Sequence, residues 1–165
     1  MNKLFSLLII LGLSSQILAQ NSNQYSPYYL HKKSQFESLP NSSDEIIFLG
    51  NSITDGGNWT ELFGDLRIKN RGISGDITDG ILNRLDEVTE SNPLKIFIMI
   101  GINDLSKGKT TQEILNNYEI ILDSIISSSP STEIFVESVL PVNNNFTQFK
   151  KHYARADSVL ILNKK

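Results

Sequence analysis

Short apolar runs alternate along the chain with longer segments whose apolar residues recur at helical intervals. The first run, Ile46–Leu49, is rich in β-branched and aromatic residues and stops at Gly50. Such a run predicts a buried strand that ends in a tight turn. Strands are predicted in the same way over Ile46–Leu49, Ile68–Arg71, Lys95–Ile100 and Glu133–Val139.

The segments between these runs predict helices. The longest is expected over Thr111–Ser128, because Thr110 and Glu113 have the spacing of a capping box and Pro130 stops the pattern. A loop and a short helix are expected within Gln20–Asn41. Further helices are predicted about Thr60–Asp65, about Ile77–Glu90 and within Phe146–Lys165.

Alternating strands and helices predict an α/β fold, a doubly wound parallel sheet with helices on both faces. Folds of this kind place their sites at the carboxyl ends of the strands. Polar, glycine-containing segments follow the first three predicted strands, namely Gly50-Asn51-Ser52, Asn70-Arg71-Gly72 and Gly101-Ile102-Asn103-Asp104. We therefore expect these three segments to meet at one edge of the sheet.

Both ends of the chain carry further expectations. Residues 1–19 combine Lys3, an apolar core and a small or polar exit near Ala19, which is typical of a secretory signal peptide. We expect cleavage near Ala19, no stable membrane insertion afterwards and a secreted or periplasmic protein; an uncleaved membrane-anchoring N-terminus is the alternative. Residues 20–43 then form an N-terminal extension, and 44–165 form the domain. Because the last predicted helix leads to no further strand, we expect this domain to lack its last strand and helix.

Composition narrows the function. The 165 residues are 39% hydrophobic and 20% charged with a formal net charge of -3, which fits one globular domain. Lys and Arg are scattered, which argues against nucleic acid as a partner, since phosphate binding needs clustered positive charge. The chain has no cysteine and therefore no disulfide or thiolate metal site. The spacing of Asp55, Asp76 and Asp104 does not demand a metal ion, and no cofactor is expected.

Ser52 is the candidate nucleophile, on a strand-to-helix turn. Acyl transfer by a serine needs a base for the hydroxyl proton and donors for the oxyanion. The candidate donors are the Ser52 N–H, the Gly72 N–H and the Asn103 side-chain amide. Structural roles are the alternatives: Ser52 as a helix cap, Gly72 as a turn residue, and Asn103 with Asp104 in an Asx-turn.

Three motifs resemble a known family. G-N-S-I-T-D-G around Ser52, N-R-G-I-S-G-D around Gly72 and G-I-N-D at Gly101–Asp104 are similar to the first three blocks of the SGNH hydrolases, also called GDSL esterases. The resemblance covers residues 44 to 165 and is strongest to the branch with platelet-activating-factor acetylhydrolase-like and bacterial acetylesterase-like proteins. It implies a flavodoxin-like three-layer fold, Ser52 as nucleophile, and an oxyanion hole of Ser52 N–H, Gly72 N–H and Asn103 amide. Asn51 replaces the aspartate of the usual G-D-S signature.

The fourth block of that family, an Asp-x-x-His that supplies the base, does not occur in the sequence. The two histidines, His31 and His152, lie at positions that do not favour a catalytic base. The resemblance therefore implies that the base lies beyond Lys165 and that this chain alone is weakly active or inactive.

These observations together predict an exported serine esterase that acts on a small-molecule ester, either an acetylated sugar or a lysophospholipid-like lipid, without metal or organic cofactor. A non-catalytic carbohydrate-binding or interaction protein on the same fold is the alternative. A nucleotide binder is disfavoured, because the glycines around Ser52 lack the spacing of a phosphate loop. A sheet without its last strand and helix would expose apolar surface, so low solubility or a homodimer is expected.

Overall fold

A four-stranded parallel sheet forms the centre of the described structure. The computed structural model describes residues 25–142 and 156–164. The strands lie in the order β2-β1-β3-β4, and every neighbouring pair is parallel. Their bounds are β1 (Ile46–Gly50), β2 (Ile68–Gly72), β3 (Lys95–Met99) and β4 (Glu133–Val136). The prediction of a doubly wound α/β fold is confirmed.

Eight helices connect and flank the strands in the described ranges. They are α1 (Pro27–Glu37), α2 (Ser52–Asp55), α3 (Trp59–Phe63), α4 (Thr78–Leu82), α5 (Leu85–Thr89), α6 (Ile102–Ser106), α7 (Thr111–Ser128) and α8 (Ala156–Leu162). None of them has the length and apolar character that a membrane crossing requires. The predicted signal peptide and His152 lie outside the described residues, as does the first part of the predicted C-terminal helix.

Helix α7 has the predicted bounds, and its predicted capping box is confirmed. Thr110 N donates to Glu113 Oε2 at 2.7 Å, and Glu113 N donates to Thr110 Oγ1 at 3.2 Å. These two bonds satisfy backbone donors that the first helical turn would otherwise leave without a partner. The helix therefore starts where the local sequence specifies.

The helix predicted about Ile77–Glu90 is instead two short helices, α4 and α5. The chain leaves helical geometry at Arg84, where φ is -131° and ψ is 16°. The Arg84 side chain is fully buried and binds Asp76. The break between α4 and α5 therefore coincides with the residue whose charged side chain points into the interior.

One face of the sheet packs on α7 and forms the main core. Ile47, Leu49, Ile96 and Ile98 on the strands and Ile114, Ile121 and Ile125 on α7 are each no more than 1% exposed. Burial of branched side chains between a parallel sheet and a helix is the main stabilising contribution in such folds.

The other face carries an aromatic row across three strands. Phe48, Phe97 and Phe135 are paired in register, with ring centroids 5.0 and 4.6 Å apart. Trp59 and Phe63 stack on Phe48. On the outer strand, however, Phe135 and Val136 are 38% and 54% exposed. Apolar side chains are thus exposed at β4 in the described structure.

Helix α1 packs beside the carboxyl end of β2, where Tyr29 and Phe36 are buried against Ile73. Pro27 stands at its start and Ser26 caps it, with Tyr29 N donating to Ser26 Oγ at 3.1 Å. Tyr29 OH donates to Gly80 O at 2.7 Å, which ties α1 to α4.

Candidate active site

The three polar segments predicted to meet do lie side by side. In the sheet register Gly50 pairs with Gly72 on one side and with Met99 on the other. The chain after β1, after β2 and after β3 therefore leaves the sheet at the same edge. This edge brings Ser52, the turn after Gly72 and Asn103 into one region.

Ser52 is the first residue of α2 and is exposed. The preceding Asn51 is buried, and its Oδ1 accepts the Ile53 N–H at 3.0 Å. Asn51 is therefore the helix cap, the role that the sequence left open for Ser52. No described residue forms a hydrogen bond with Ser52 Oγ, so the hydroxyl is accessible from solvent.

Asn70 holds α2 against β2. Its Nδ2 donates to the carbonyls of Thr54 and Gly57 at 2.8 and 3.0 Å, and its Oδ1 accepts the Gly72 N–H at 2.8 Å. Trp59 Nε1 also donates to Thr54 O, at 2.7 Å. The end of α2 is thus fixed by side chains from β2 and α3.

Gly72 does not match the role expected from the sequence. Its N–H is already donated to Asn70, and a Cβ at Gly72 would collide with the backbone of Asp55. The glycine allows β2 and α2 to pack closely, so the structure argues against Gly72 as an oxyanion donor.

Gly75, in contrast to Gly72, has a backbone N–H that is not already donated to another described residue. It is exposed with φ of +83°, and its N–H has no hydrogen-bond partner in the described ranges. A residue with a side chain would be strained in this left-handed conformation. Ser74 and Asp76, on either side, are both anchored. The sequence contained this residue in the motif N-R-G-I-S-G-D, but the spacing alone did not distinguish the two glycines.

Asn103 lies at the start of α6, where the sequence places it, and its Nδ2 donates to Asp76 O at 2.9 Å. The neighbouring Asp104 is 0% exposed and accepts from Thr78 N at 3.1 Å and from Thr78 Oγ1 at 2.6 Å. Asp104 thereby accepts the first N–H of α4 from another segment of the chain, which differs from the Asx-turn given above as the structural alternative. Burial raises the pKa of Asp104, and the hydrogen bonds from Thr78 oppose that rise.

A buried ion pair lies under the nucleophile turn. Arg84 Nε and Nη2 donate to Asp76 Oδ2 at 3.1 and 3.0 Å, and Arg84 Nη2 reaches Gly50 O at 3.3 Å. Burial raises the pKa of Asp76, and the positive charge of Arg84 opposes this rise. Sequence reasoning did not single out Arg84. The signal in the sequence that could have indicated a buried Arg84 is its position as a single charged residue between the apolar Ile81 and Leu85 of a predicted helix.

The acidic residues at this edge have separate partners. Asp55 binds Ser74, Tyr28 and Lys32, whereas Asp76 binds Arg84 and Asp104 binds Thr78. Within the described ranges, no three His, Cys, Asp or Glu residues are grouped so that they could hold a metal ion. His31 is exposed on α1.

One cavity in the described structure lies away from Ser52. It has a volume of about 580 Å³ and lies between α7, the end of β4 and α8, lined by residues that include Leu115, Tyr118, Val136 and Leu162. A smaller groove of about 350 Å³ borders Asp55, Trp59 and Asn70. Ser52 lines neither of these two spaces.

Comparisons with known proteins agree with the motifs. The family described as "GDSL-like Lipase/Acylhydrolase family" matches residues 48–159, more than half of the chain. The chain is 28% identical over 122 residues to the alpha2 subunit of rat platelet-activating factor acetylhydrolase IB, covering 70% of this chain and 52% of that protein. The chain spans about half the length of the curated relatives it matches.

Solved structures have the same fold. A protein of Streptococcus pneumonia, whose description names platelet activating factor, is similar with a TM-score of 0.76 and 30% identity, covering 91% of this chain and 73% of that one. A GDSL-like lipase from Bacteroides thetaiotaomicron has a TM-score of 0.69 at 21% identity, covering 82% of this chain and 69% of that one. An acetyl xylan esterase from Geobacillus stearothermophilus has a TM-score of 0.51 at 21% identity, covering 75% and 72%.

Proposed function

The chain belongs to the GDSL-like lipase/acylhydrolase family, and from this membership we propose that it acts as a serine esterase with Ser52 as the nucleophile. The observation that carries the proposal is the placement of Ser52. It is exposed at the carboxyl end of a central strand, and its turn is fixed by Asn51 and Asn70 rather than by its own hydroxyl. A hydroxyl that is held in place but not used structurally is suited to attack a substrate.

In the proposed reaction Ser52 Oγ forms a bond to the acyl carbon and loses its proton to a base. The carbonyl oxygen becomes an anion, and the intermediate collapses when the alcohol leaves with a proton. Water then hydrolyses the acyl-enzyme by the same steps. The resemblance implies that a histidine of an Asp-x-x-His pair is the base, and we place this base outside the described residues.

Donors for the oxyanion are the Ser52 N–H, the Gly75 N–H and the Asn103 amide in this proposal. Gly75 replaces the expected Gly72, because the Gly72 N–H is donated to Asn70. The Gly75 N–H has no hydrogen-bond partner in the described ranges, and a Cβ at Gly75 would meet no atom within 4 Å. One amide hydrogen of Asn103 goes to Asp76 O, which orients the side chain. Removal of one such donor typically lowers kcat by about 10²–10³-fold.

We propose a short acyl group, acetyl in particular, as the part of the substrate that Ser52 receives. The names of the platelet-activating factor relatives and of the acetyl xylan esterase all specify an acetyl group, although the alcohols differ. The alcohol is then a sugar or a lysophospholipid-like lipid.

Hydrolysis of p-nitrophenyl esters tests this function on the full-length protein. Ser52→Ala is expected to abolish turnover of the acetate ester, and the octanoate ester is expected to react more slowly than the acetate. Ser131→Ala, an exposed serine before β4, is the matched control. Equal turnover by wild type and Ser52→Ala contradicts the nucleophile assignment. Sugar or lipid binding without any turnover favours the non-catalytic alternative.

We also propose export and self-association. Residues 1–19 have the pattern of a signal peptide, and N-terminal sequencing of the mature protein tests cleavage near Ala19. The exposed Phe135 and Val136 on the outer strand support a homodimer. Sedimentation equilibrium is expected to show a dimer that Phe135→Lys weakens and Leu39→Lys, on the surface beyond α1, leaves unchanged. A monomer at all concentrations contradicts self-association.

A further inference from the structure

Asp55 joins three segments around the proposed site, although the reaction itself does not use it. It is the last residue of α2, and its side chain is 9% exposed. Its Oδ2 accepts Ser74 N at 3.0 Å, Ser74 Oγ at 2.6 Å and Tyr28 OH at 2.7 Å. Its Oδ1 lies 3.0 Å from Lys32 Nζ. Both oxygens of the carboxylate therefore have partners in the described structure.

Two of these bonds connect the nucleophile to the turn that carries Gly75. Asp55 shares the single turn of α2 with Ser52, and Asp55 N donates to Asn51 O at 2.8 Å. Ser74 immediately precedes Gly75, and both its N–H and its hydroxyl are donated to Asp55. Asp55 is thus the side chain that binds the Ser74–Gly75 turn to the helix of Ser52.

We propose that Asp55 is a positioning residue for acyl transfer, which holds the Gly75 N–H at the distance from Ser52 that an oxyanion requires. This inference rests on the proposed function. An error of about 1 Å in the placement of a reacting group can cost about 10²-fold in rate. Hydrogen bonds to a charged group are among the strong ones, so a carboxylate oxygen that accepts both Ser74 donors is suited to hold this turn.

Helix α1 completes the clamp from outside the region that matches the family. Tyr28 and Lys32 both precede residue 48, where that match begins. Lys32 balances the charge of the largely buried carboxylate, and Tyr28 donates to the same oxygen as Ser74. The α1 helix is itself anchored through Tyr29 and Phe36. The N-terminal extension is therefore part of the site's support.

The test compares variants of the full-length protein with p-nitrophenyl acetate as substrate. Asp55→Ala is expected to lower kcat about 10²-fold with KM within about twofold, because substrate binding does not use the carboxylate. Asp55→Asn keeps an oxygen for Ser74 and is expected to lose about tenfold or less. Lys32→Met is expected to lower kcat, whereas Lys33→Met is the matched control, since Lys33 pairs with Glu37 on the surface of the same helix.

A second measurement does not depend on turnover. Amide hydrogen exchange at Ser74 is expected to be at least about tenfold faster in Asp55→Ala than in wild type, because its acceptor is lost. Ser74→Ala, which removes only the hydroxyl donor, serves if Asp55→Ala does not fold, and is expected to lower kcat by a smaller factor than Asp55→Ala with KM unchanged.

The outcomes separate the two proposals. Equal activity of wild type and Ser52→Ala overturns the proposed function, and the Ser74 amide then decides whether Asp55 holds the turn. Ser52-dependent activity that Asp55→Ala and Ser74→Ala leave unchanged overturns the positioning role, as does unchanged exchange at Ser74. A parallel loss of kcat in Lys33→Met would show a general effect of α1 and would also overturn it.

Discussion

Replacement of Arg84 tests how much the buried Arg84–Asp76 ion pair, which lies beneath the turn of Ser52, contributes to stability. The Arg84 and Asp76 side chains are 0% and 1% exposed, and two nitrogens of Arg84 donate to Asp76 Oδ2. Arg84→Met removes the cation and leaves a buried carboxylate without its partner. Breaking a buried pair from one side costs about 3–5 kcal/mol, a large part of the about 5–15 kcal/mol that stabilises a typical protein.

A second substitution separates the lost charge balance from lost packing. Asp76→Asn in the Arg84→Met background removes the stranded charge and keeps an oxygen for the Ile77 N–H, which lies 2.9 Å from Asp76 Oδ1. An unpaired neutral amide costs about 1–3 kcal/mol, less than an unpaired buried charge. The double variant is therefore expected to be more stable than Arg84→Met alone.

Urea unfolding followed by circular dichroism measures both free energies at pH 7. Arg67→Met is the control, because the Arg67 and Asp65 side chains are 54% and 28% exposed and their pair contributes little. A loss below about 1 kcal/mol in Arg84→Met, the range of an exposed pair, would refute the reasoning. A double variant that is no more stable than Arg84→Met alone would also refute it.

Three further predictions concern stability; urea unfolding measures the first two, and thermal unfolding at several pH values measures the third. Ile121→Ala, at a position 0% exposed, is expected to cost about 2–5 kcal/mol, whereas Ile120→Ala, 52% exposed on the same helix, changes stability little. Gly72→Ala is expected to destabilise the protein more than Gly75→Ala does, because only a Cβ at Gly72 would collide with backbone atoms. The cost of Gly75→Ala is that of a strained φ of +83°, about 1–2 kcal/mol. Equal losses of stability in the two variants contradict this prediction. Burial raises the pKa of Asp55, but its hydrogen-bond donors outweigh burial and hold the pKa below the ordinary value for an aspartate. The ionised carboxylate therefore stabilises the fold above that ordinary value, so Asp55→Asn should lower Tm at pH 7, and the difference in Tm should shrink as the pH falls below the ordinary value.

Local signals were sufficient to predict most of the secondary structure. The bounds of α7 follow from Thr110, Glu113 and an apolar repeat, all within one segment of sequence. The parallel direction of the strands also follows from the sequence, because a helix between two successive strands of one sheet returns the chain to the same end of the sheet. That topology in turn predicted that Ser52 and Asn103 lie at one edge, since the carboxyl ends of neighbouring parallel strands coincide.

The choice between two glycines of one motif was beyond the sequence. Gly72 and Gly75 are three positions apart, and either could offer an N–H to an oxyanion. The side chain of Asn70 takes the Gly72 N–H, and a left-handed turn exposes that of Gly75. Asn70 Nδ2 also donates to the carbonyls of Thr54 and Gly57, 16 and 13 positions away, and these contacts help to fix the orientation in which Asn70 Oδ1 accepts the Gly72 N–H. No local pattern specifies those distant contacts.

The sequence by itself determined the class of fold, the edge at which the site lies and the residue that is offered as nucleophile, because periodicity, caps and strand ends are local properties. Tertiary structure alone decided which charges are buried and what they hold. Asp55 and Arg84 look like surface charges in the sequence, yet Asp55 meets Tyr28 and Ser74 across 27 and 19 positions, and Arg84 reaches Gly50 across 34. Their effect comes from the exclusion of water, which strengthens such bonds and exists only once the chain has folded.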